Sequence, residues 1–124
     1  MRSELKDKKR KIGFNYAWNG IKEIAQTERN FRIHLLATLL TITAGFLFKL
    51  TMVEWAIIVL TIGLVLMAEV TNTAIEKLID YLRPEIHPAA KIIKDVAAGA
   101  VLIAAIIAAV IGLLIFLPKL YNFF

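Results

Sequence analysis

The stretch EVTNTAIEKLID, residues 69–80, follows directly on WAIIVLTIGLVLMA, residues 55–68. On a helix turning about 100° per residue, Asn72, Glu76 and Asp80 stand at roughly −60°, −20° and +20° from Glu69, so the four share one stripe that rises about 16 Å. Val70, Ala74, Ile75 and Leu78 keep the opposite face apolar. A carboxylate carried into apolar surroundings is costly, and its default reading is function. Carboxylates on one face suit Mg2+ held together with phosphates. A deeper carboxylate suits removal of a proton from an alcohol whose body stays in lipid. The cation that phosphate oxygens need comes from KIIKD, residues 91–95: Lys94 and Asp95 open the next helix, with Lys91 one turn earlier. An antiparallel neighbour brings Lys94 and Asp95 near the level of Glu76 and Asp80.

Phosphoryl transfer is one chemistry these residues allow, and a proton relay in a small proton-coupled transporter is another, because a membrane glutamate such as Glu69 serves either. The polar residues gather at one end of the spans and the third span carries no charge beyond Asp95 until Lys119, which counts against a continuous path. A structural subunit anchored by a basic helix leaves the Glu69 stripe unexplained. The nucleotide signatures G-x-x-x-x-G-K-[ST] and G-x-G-x-x-G are absent, so a bound nucleotide would use a site of another kind. With no cysteine, disulfides, thiolate nucleophiles and cysteine metal sites are excluded.

The elements that must position this stripe are membrane helices. The chain has 124 residues, of which 59% are hydrophobic, and its mean hydropathy is +0.69. A soluble domain of this size could not bury so much apolar surface. The sequence predicts one all-α integral membrane domain over residues 1–124, with spans at 31–50, 52–82 and 90–118. Residues 1–28 read as a basic tail followed by an amphipathic helix on the membrane surface, with Tyr16 and Trp18 at headgroup level. No cleavable signal peptide is expected. Nine of the fifteen Lys and Arg lie in residues 1–32 and four more between Lys77 and Lys94, which places the N-terminus and the 77–95 connection in the cytoplasm and the C-terminus outside. The two prolines of RPEIHP, residues 83–88, end the second span. Ala100, Ala104, Ala108 and Gly112 recur every four residues and form a ridge for close helix packing.

The motif EVTNTAIE, with Asp80 and EIHPAAKIIKDVAAGAV after it, resembles the prokaryotic diacylglycerol kinase and undecaprenol kinase family, as do TERNF at 27–31 and IFLPKL at 115–120. The resemblance implies a homotrimer of three-span chains in the bacterial cytoplasmic membrane, each with an N-terminal surface helix, acting on ATP and a lipid alcohol with Mg2+ and without nucleic acid. It implies Glu69 as general base and Asn72 as the residue that orients the base and the phosphate. Glu28 and Glu76 would hold Mg2+. Tyr16, Glu28, Glu76, Asp80, Glu85, His87, Lys94 and Asp95 would contact ATP. Trp18, Phe31, Arg32, Trp55, Glu69 and Ala98 would meet the lipid. TERNF, HPAAKIIKD and FLPKL look like the Gram-positive branch, which implies undecaprenol as acceptor, with diacylglycerol as the alternative. Thr71 departs from the apolar residue usual there. It lies at the back of the motif, and its hydroxyl is expected on the carbonyl one turn back.

Overall fold

The computed structural model describes residues 13–124, so the expected basic tail at 1–11 lies outside the described residues. Four helices follow in order: α1 Gly13–Thr27, α2 Arg29–Leu47, α3 Met52–Leu82 and α4 Pro88–Phe123. The last three are long and apolar enough to cross a membrane, and the chain is a multi-pass membrane protein. Most of their large apolar side chains face outward, as the side chains of a lipid-solvated bundle must.

α1 is strongly amphipathic and buries Ile24 against its neighbours. It ends at Glu28, whose extended backbone (φ −107°, ψ 112°) makes it the N-cap of α2, yet its side chain makes no capping bond. That leaves the Glu28 carboxylate free to reach α3. On α2, Phe31, His34, Thr38 and Gly45 fall within about 60° of one another and form the inward face. The hydroxyls of Thr38 and Thr41 donate to the carbonyls of His34 and Ala37, both at 2.8 Å, so these threonines ask for no further partner.

α2 stops at Leu47, three residues short of the expected end of the first span. Lys49 takes a left-handed backbone, φ 54°, and turns the chain into α3. Thr51 and Glu54 then close a reciprocal capping box: Glu54 N–H donates to Thr51 Oγ1 at 3.2 Å and Thr51 N–H to Glu54 Oε1 at 2.9 Å. The indole of Trp55 lies over Gly45, where an added Cβ would come within 2.5 Å of the ring. Gly45→Val is therefore expected to destabilise the fold by about 1–3 kcal/mol. Thermal unfolding in detergent, followed by tryptophan emission, checks this. An unchanged melting temperature would mean that the α2–α3 contact tolerates the extra bulk.

α3 and α4 share the most extensive packing. An ion pair ties each end of this antiparallel pair: Asp80–Lys94 at one end and Glu54–Lys119, at 2.9 Å, at the other. The paired residue numbers sum to 174 and 173, so one register holds over the 26 residues from Glu54 to Asp80, roughly 39 Å. That register places Ala104 at the height of Glu69 and Ala97 at the height of Glu76. Both alanines are buried, as is Ala90, a spacing of seven along α4. Of the expected ridge only Ala104 is fully buried, while Ala100 is exposed. The seven-residue stripe keeps one face toward a neighbour crossing at a shallow angle, which a strict four-residue ridge does not.

α4 begins at Pro88, two residues before the expected boundary, with Pro at the first helical position. It also runs on to Phe123, through Pro118, instead of ending near 118. The backbone bond that Pro118 cannot donate is offset by tertiary contacts around it. Lys119 pairs with Glu54, and Phe48 packs edge-on against Phe116 and Phe123.

Candidate functional site

The stripe on α3 runs from buried to exposed. Glu69 is 3% exposed, Asn72 6% and Thr73 1%. Glu76 is half-buried and Asp80 exposed. The gradient follows from packing: the alanines of α4 close over the deeper turns, while the helix emerges from its neighbours at the Asp80 end. Asn72 donates from Nδ2 to Glu76 Oε1 at 3.2 Å. Its Oδ1 and the hydroxyl of Thr73 are buried without a partner. Buried polar atoms normally find partners, so two orphans on one face mark a place where a further group belongs. Thr71 is exposed, and no hydrogen bond from its hydroxyl is found among the described residues. Thr61, ten residues earlier on the same helix, does make such a bond, its hydroxyl donating to the Ile57 carbonyl at 2.7 Å.

Two residues of the first span complete the cluster. Glu28 Oε1 lies 3.6 Å from Lys77 Nζ, next to Glu76 in sequence, so Glu28 reaches the same turn of α3. His34 Nε2 lies 3.7 Å from Glu69 Oε2. His34 was invisible in the sequence as a site residue, because a lone histidine in an apolar span gives no pattern and its partner comes from another helix. Lys77 is thus Glu28's ion-pair partner.

At the exposed end, Asp80 carries the Lys94 ammonium. Around this pair lies a cleft of about 220 Å³ lined by Arg83, Glu85, His87 and Lys91 as well. Arg83 pairs with Glu85 at 3.2 Å. His87, which lines the cleft, caps α4, its Nδ1 accepting from Ala89 N–H at 3.1 Å, which leaves Nε2 for another partner. Asp95 is turned to Lys91, 2.5 Å away and one turn back on α4, and is exposed.

The remaining expected residues are not gathered here within one chain. Tyr16 and Trp18 stand 57% and 56% exposed on α1. Phe31 is buried rather than presented to lipid, because it shares the inward face of α2 with His34. Arg32, about 100° round the helix from Phe31, is exposed and donates from Nη1 to the Gln26 carbonyl at 3.2 Å. Trp55 packs on Phe46 at the far end of α3, fourteen residues or roughly 21 Å from Glu69. Ala98 is exposed.

Among the described residues no group of three or more acidic or histidine side chains is placed to hold a metal ion. Glu76, and Glu28 reaching from the start of α2 to Lys77 beside it, are nonetheless hard oxygen donors. That donor set fits Mg2+, which takes one or two protein carboxylates and fills its shell with substrate phosphates and water.

Fold and site together define a small multi-pass membrane protein with a graded carboxylate stripe and a lysine at one end of its spans. The chain matches the prokaryotic diacylglycerol kinase model over residues 15–116, and it belongs to that family of lipid kinases. It is 50% identical to an undecaprenol kinase of Bacillus subtilis over 107 residues, covering 86% of this chain and 87% of that one. It is 44% identical to a diacylglycerol kinase of Synechocystis, covering 90% of this chain and 64% of the relative. With the diacylglycerol kinase of Escherichia coli K12 it shares 30% identity, over 77% of this chain and 78% of that one.

Proposed function

We propose that the chain is an ATP- and Mg2+-dependent kinase that transfers the γ-phosphate of ATP to the hydroxyl of a membrane lipid, undecaprenol, giving undecaprenyl phosphate. The observation that carries this reading is the gradient along α3. A buried carboxylate, Glu69, lies at lipid depth, and a lysine-bearing cleft, at Asp80 and Lys94, lies at the exposed end of the same face. The two ends stand roughly 16 Å apart along the axis. The nucleotide would lie lengthwise on the stripe, with its far end in the cleft near His87, Glu85 and Lys94 and its γ-phosphate toward Glu69.

In the transfer, Glu69 accepts the hydroxyl proton as the lipid oxygen bonds to the γ-phosphorus, and the bond from that phosphorus to the bridging oxygen breaks to release ADP. Lys94 exchanges Asp80 for phosphate oxygens. Asn72 holds Glu76 in place through its Nδ2. Mg2+ bound with the nucleotide supplies charge neutralisation on the phosphates, and Glu28 and Glu76 are the residues that would hold it. Residues that one chain leaves apart, Tyr16, Trp18 and Asp95 among them, would join the site in a homotrimer. The same resemblance supports the bacterial cytoplasmic membrane, with the Asp80 end of the spans in the cytoplasm, where the Lys and Arg excess lies.

The identity to the Bacillus relative favours undecaprenol. The Synechocystis relative supports diacylglycerol as the second reading. Purified protein in lipid, with Mg2+ and labelled ATP, is expected to label undecaprenol in preference to diacylglycerol when the two compete. Preference for diacylglycerol would keep the mechanism and change the acceptor. Label in neither lipid would sink the kinase reading.

A further inference from the structure

Glu69 and Glu76 stand on the centre line of the α3 stripe, and a polar residue flanks them on each side. Relative to Glu69, Glu76 lies at about −20°, Asn72 at about −60° and Thr73 at about +40°. Each flanking residue is four places from one of the carboxylates, the spacing at which side chains on a helix meet. On one flank the pair is closed: Asn72 Nδ2 donates to Glu76 Oε1 at 3.2 Å. On the other flank the pair of Glu69 and Thr73 is open. The Thr73 hydroxyl is buried without a partner. No hydrogen bond to the Glu69 carboxylate is found among the described residues, and His34 Nε2, at 3.7 Å, is beyond hydrogen-bond reach.

The open hydroxyl departs from what the other threonines of this chain do. A threonine inside a helix can satisfy its hydroxyl on the carbonyl one turn back. Thr27, Thr38, Thr41, Thr43 and Thr61 all do so, at 2.7–2.9 Å. Thr71 and Thr73 do not, and of these two only Thr73 is buried, at 1% exposure. A valine would fill nearly the same volume with no hydroxyl to satisfy, so packing alone does not call for threonine here. Two carboxylates of the stripe neighbour it. Glu76, three places on, already holds Asn72. Glu69, four places back and 3% exposed, holds no donor. Side chains on a helix lean toward its N-terminus, so Thr73 leans over Glu69.

We propose that Thr73 is the positioning residue of the general base: in the loaded site its hydroxyl donates to one oxygen of the Glu69 carboxylate and keeps the other turned to the lipid hydroxyl. This rests on the role of Glu69 given above. The two residues stand on adjacent turns of one helix, so closing the pair is a matter of side-chain rotation. A carboxylate with one fixed donor keeps its plane, and without the donor it samples rotamers that take the accepting oxygen off line. Misplacing a reacting group by about 1 Å can cost on the order of 100-fold in rate.

The test uses the full-length protein in lipid vesicles with MgATP, and with undecaprenol and diacylglycerol offered separately as acceptor. Thr73→Val keeps the shape and removes the hydroxyl. Thr73→Ser keeps the hydroxyl and removes the methyl. Thr73→Val is expected to lower kcat by about 10–100-fold, to keep the wild-type KM for MgATP, and to melt no lower than the wild type, because it removes a buried hydroxyl that has no partner. Thr73→Ser is expected to keep most of the turnover, although it leaves a methyl-sized void. A packing role would give the reverse order, valine active and serine impaired, and would overturn the proposal. An unchanged kcat in Thr73→Val would do the same. So would a raised KM for MgATP in that variant, which would put the hydroxyl on the nucleotide. If Thr73→Val does not fold, Thr73→Ala against Thr73→Ser isolates the same hydroxyl. Glu69→Gln separates the two claims. If it is inactive while Thr73→Val turns over as the wild type, this inference alone fails; if it is active, the general-base reading fails and takes this one with it.

Discussion

Glu69→Gln is expected to lower turnover by about 10²–10⁴-fold while leaving the fold and nucleotide binding intact. The argument is one of location. Glu69 is the deepest carboxylate of the stripe and is buried, where an alcohol with an apolar body can meet it while the γ-phosphate approaches along the stripe from the exposed end. Glutamine matches its shape, removes the proton acceptor, and takes an ionisable group out of an apolar site, so the folded state should be no less stable. The cleft at Asp80 and Lys94 lies about three turns away and is untouched. Steady-state kinetics in both substrates, with nucleotide binding measured separately, checks the prediction. Near-normal turnover in the variant would remove Glu69 from the chemistry.

Much of this architecture was legible in the sequence because it rests on local rules. α3 runs over 52–82 as expected, since a capping threonine opens it and Pro84 closes it. The common face of Glu69, Asn72 and Glu76 follows from helical geometry alone. What the sequence did not disclose is tertiary. Thr73 lies about 40° from Glu69 and is the most buried polar residue among those described, which a lone threonine inside the motif does not signal. His34 became a site residue only through the α2–α3 register. α4 runs five residues past the expected end at 118, because the Lys119–Glu54 pair and the packed phenylalanines, which no local pattern shows, hold that end.

The ion pairs at both ends of α3 and α4 bear on how the site keeps its shape. Asp80–Lys94 and Glu54–Lys119 fix the same register at two heights about 39 Å apart. Sliding one helix by a turn would break both at once and carry Ala104 away from Glu69. In the proposed reaction only the Asp80–Lys94 end has to change partner when a phosphate arrives. The Glu54–Lys119 end, braced by the Thr51 capping box, can hold the register while it does.

Glu76→Gln should fail differently from Glu69→Gln. Glu76 is half-buried, one turn above Asn72, and shares its turn of α3 with the partner of Glu28. If it holds the cation that comes with ATP, the variant loses a charged oxygen ligand, which is worth about 1.5–3 kcal/mol, or roughly 10–100-fold in affinity. The KM for MgATP should rise by that factor, and raising Mg2+ at fixed ATP should recover part of the rate. Asn72 gives a second readout, because its Nδ2 donates to Glu76 Oε1. An amide oxygen still accepts that bond, so Glu76→Gln keeps the orientation of Asn72 and isolates the charge, whereas Glu76→Ala loses both and should fall further in turnover. Glu69→Gln, by contrast, should bind MgATP as the wild type does. Two variants on one helix face, seven residues apart, then divide into a binding defect and a chemical one. If Glu76→Gln kept the wild-type dependence on both ATP and Mg2+, the cation would have to be held elsewhere, and the division of labour along the stripe would be wrong at its upper end.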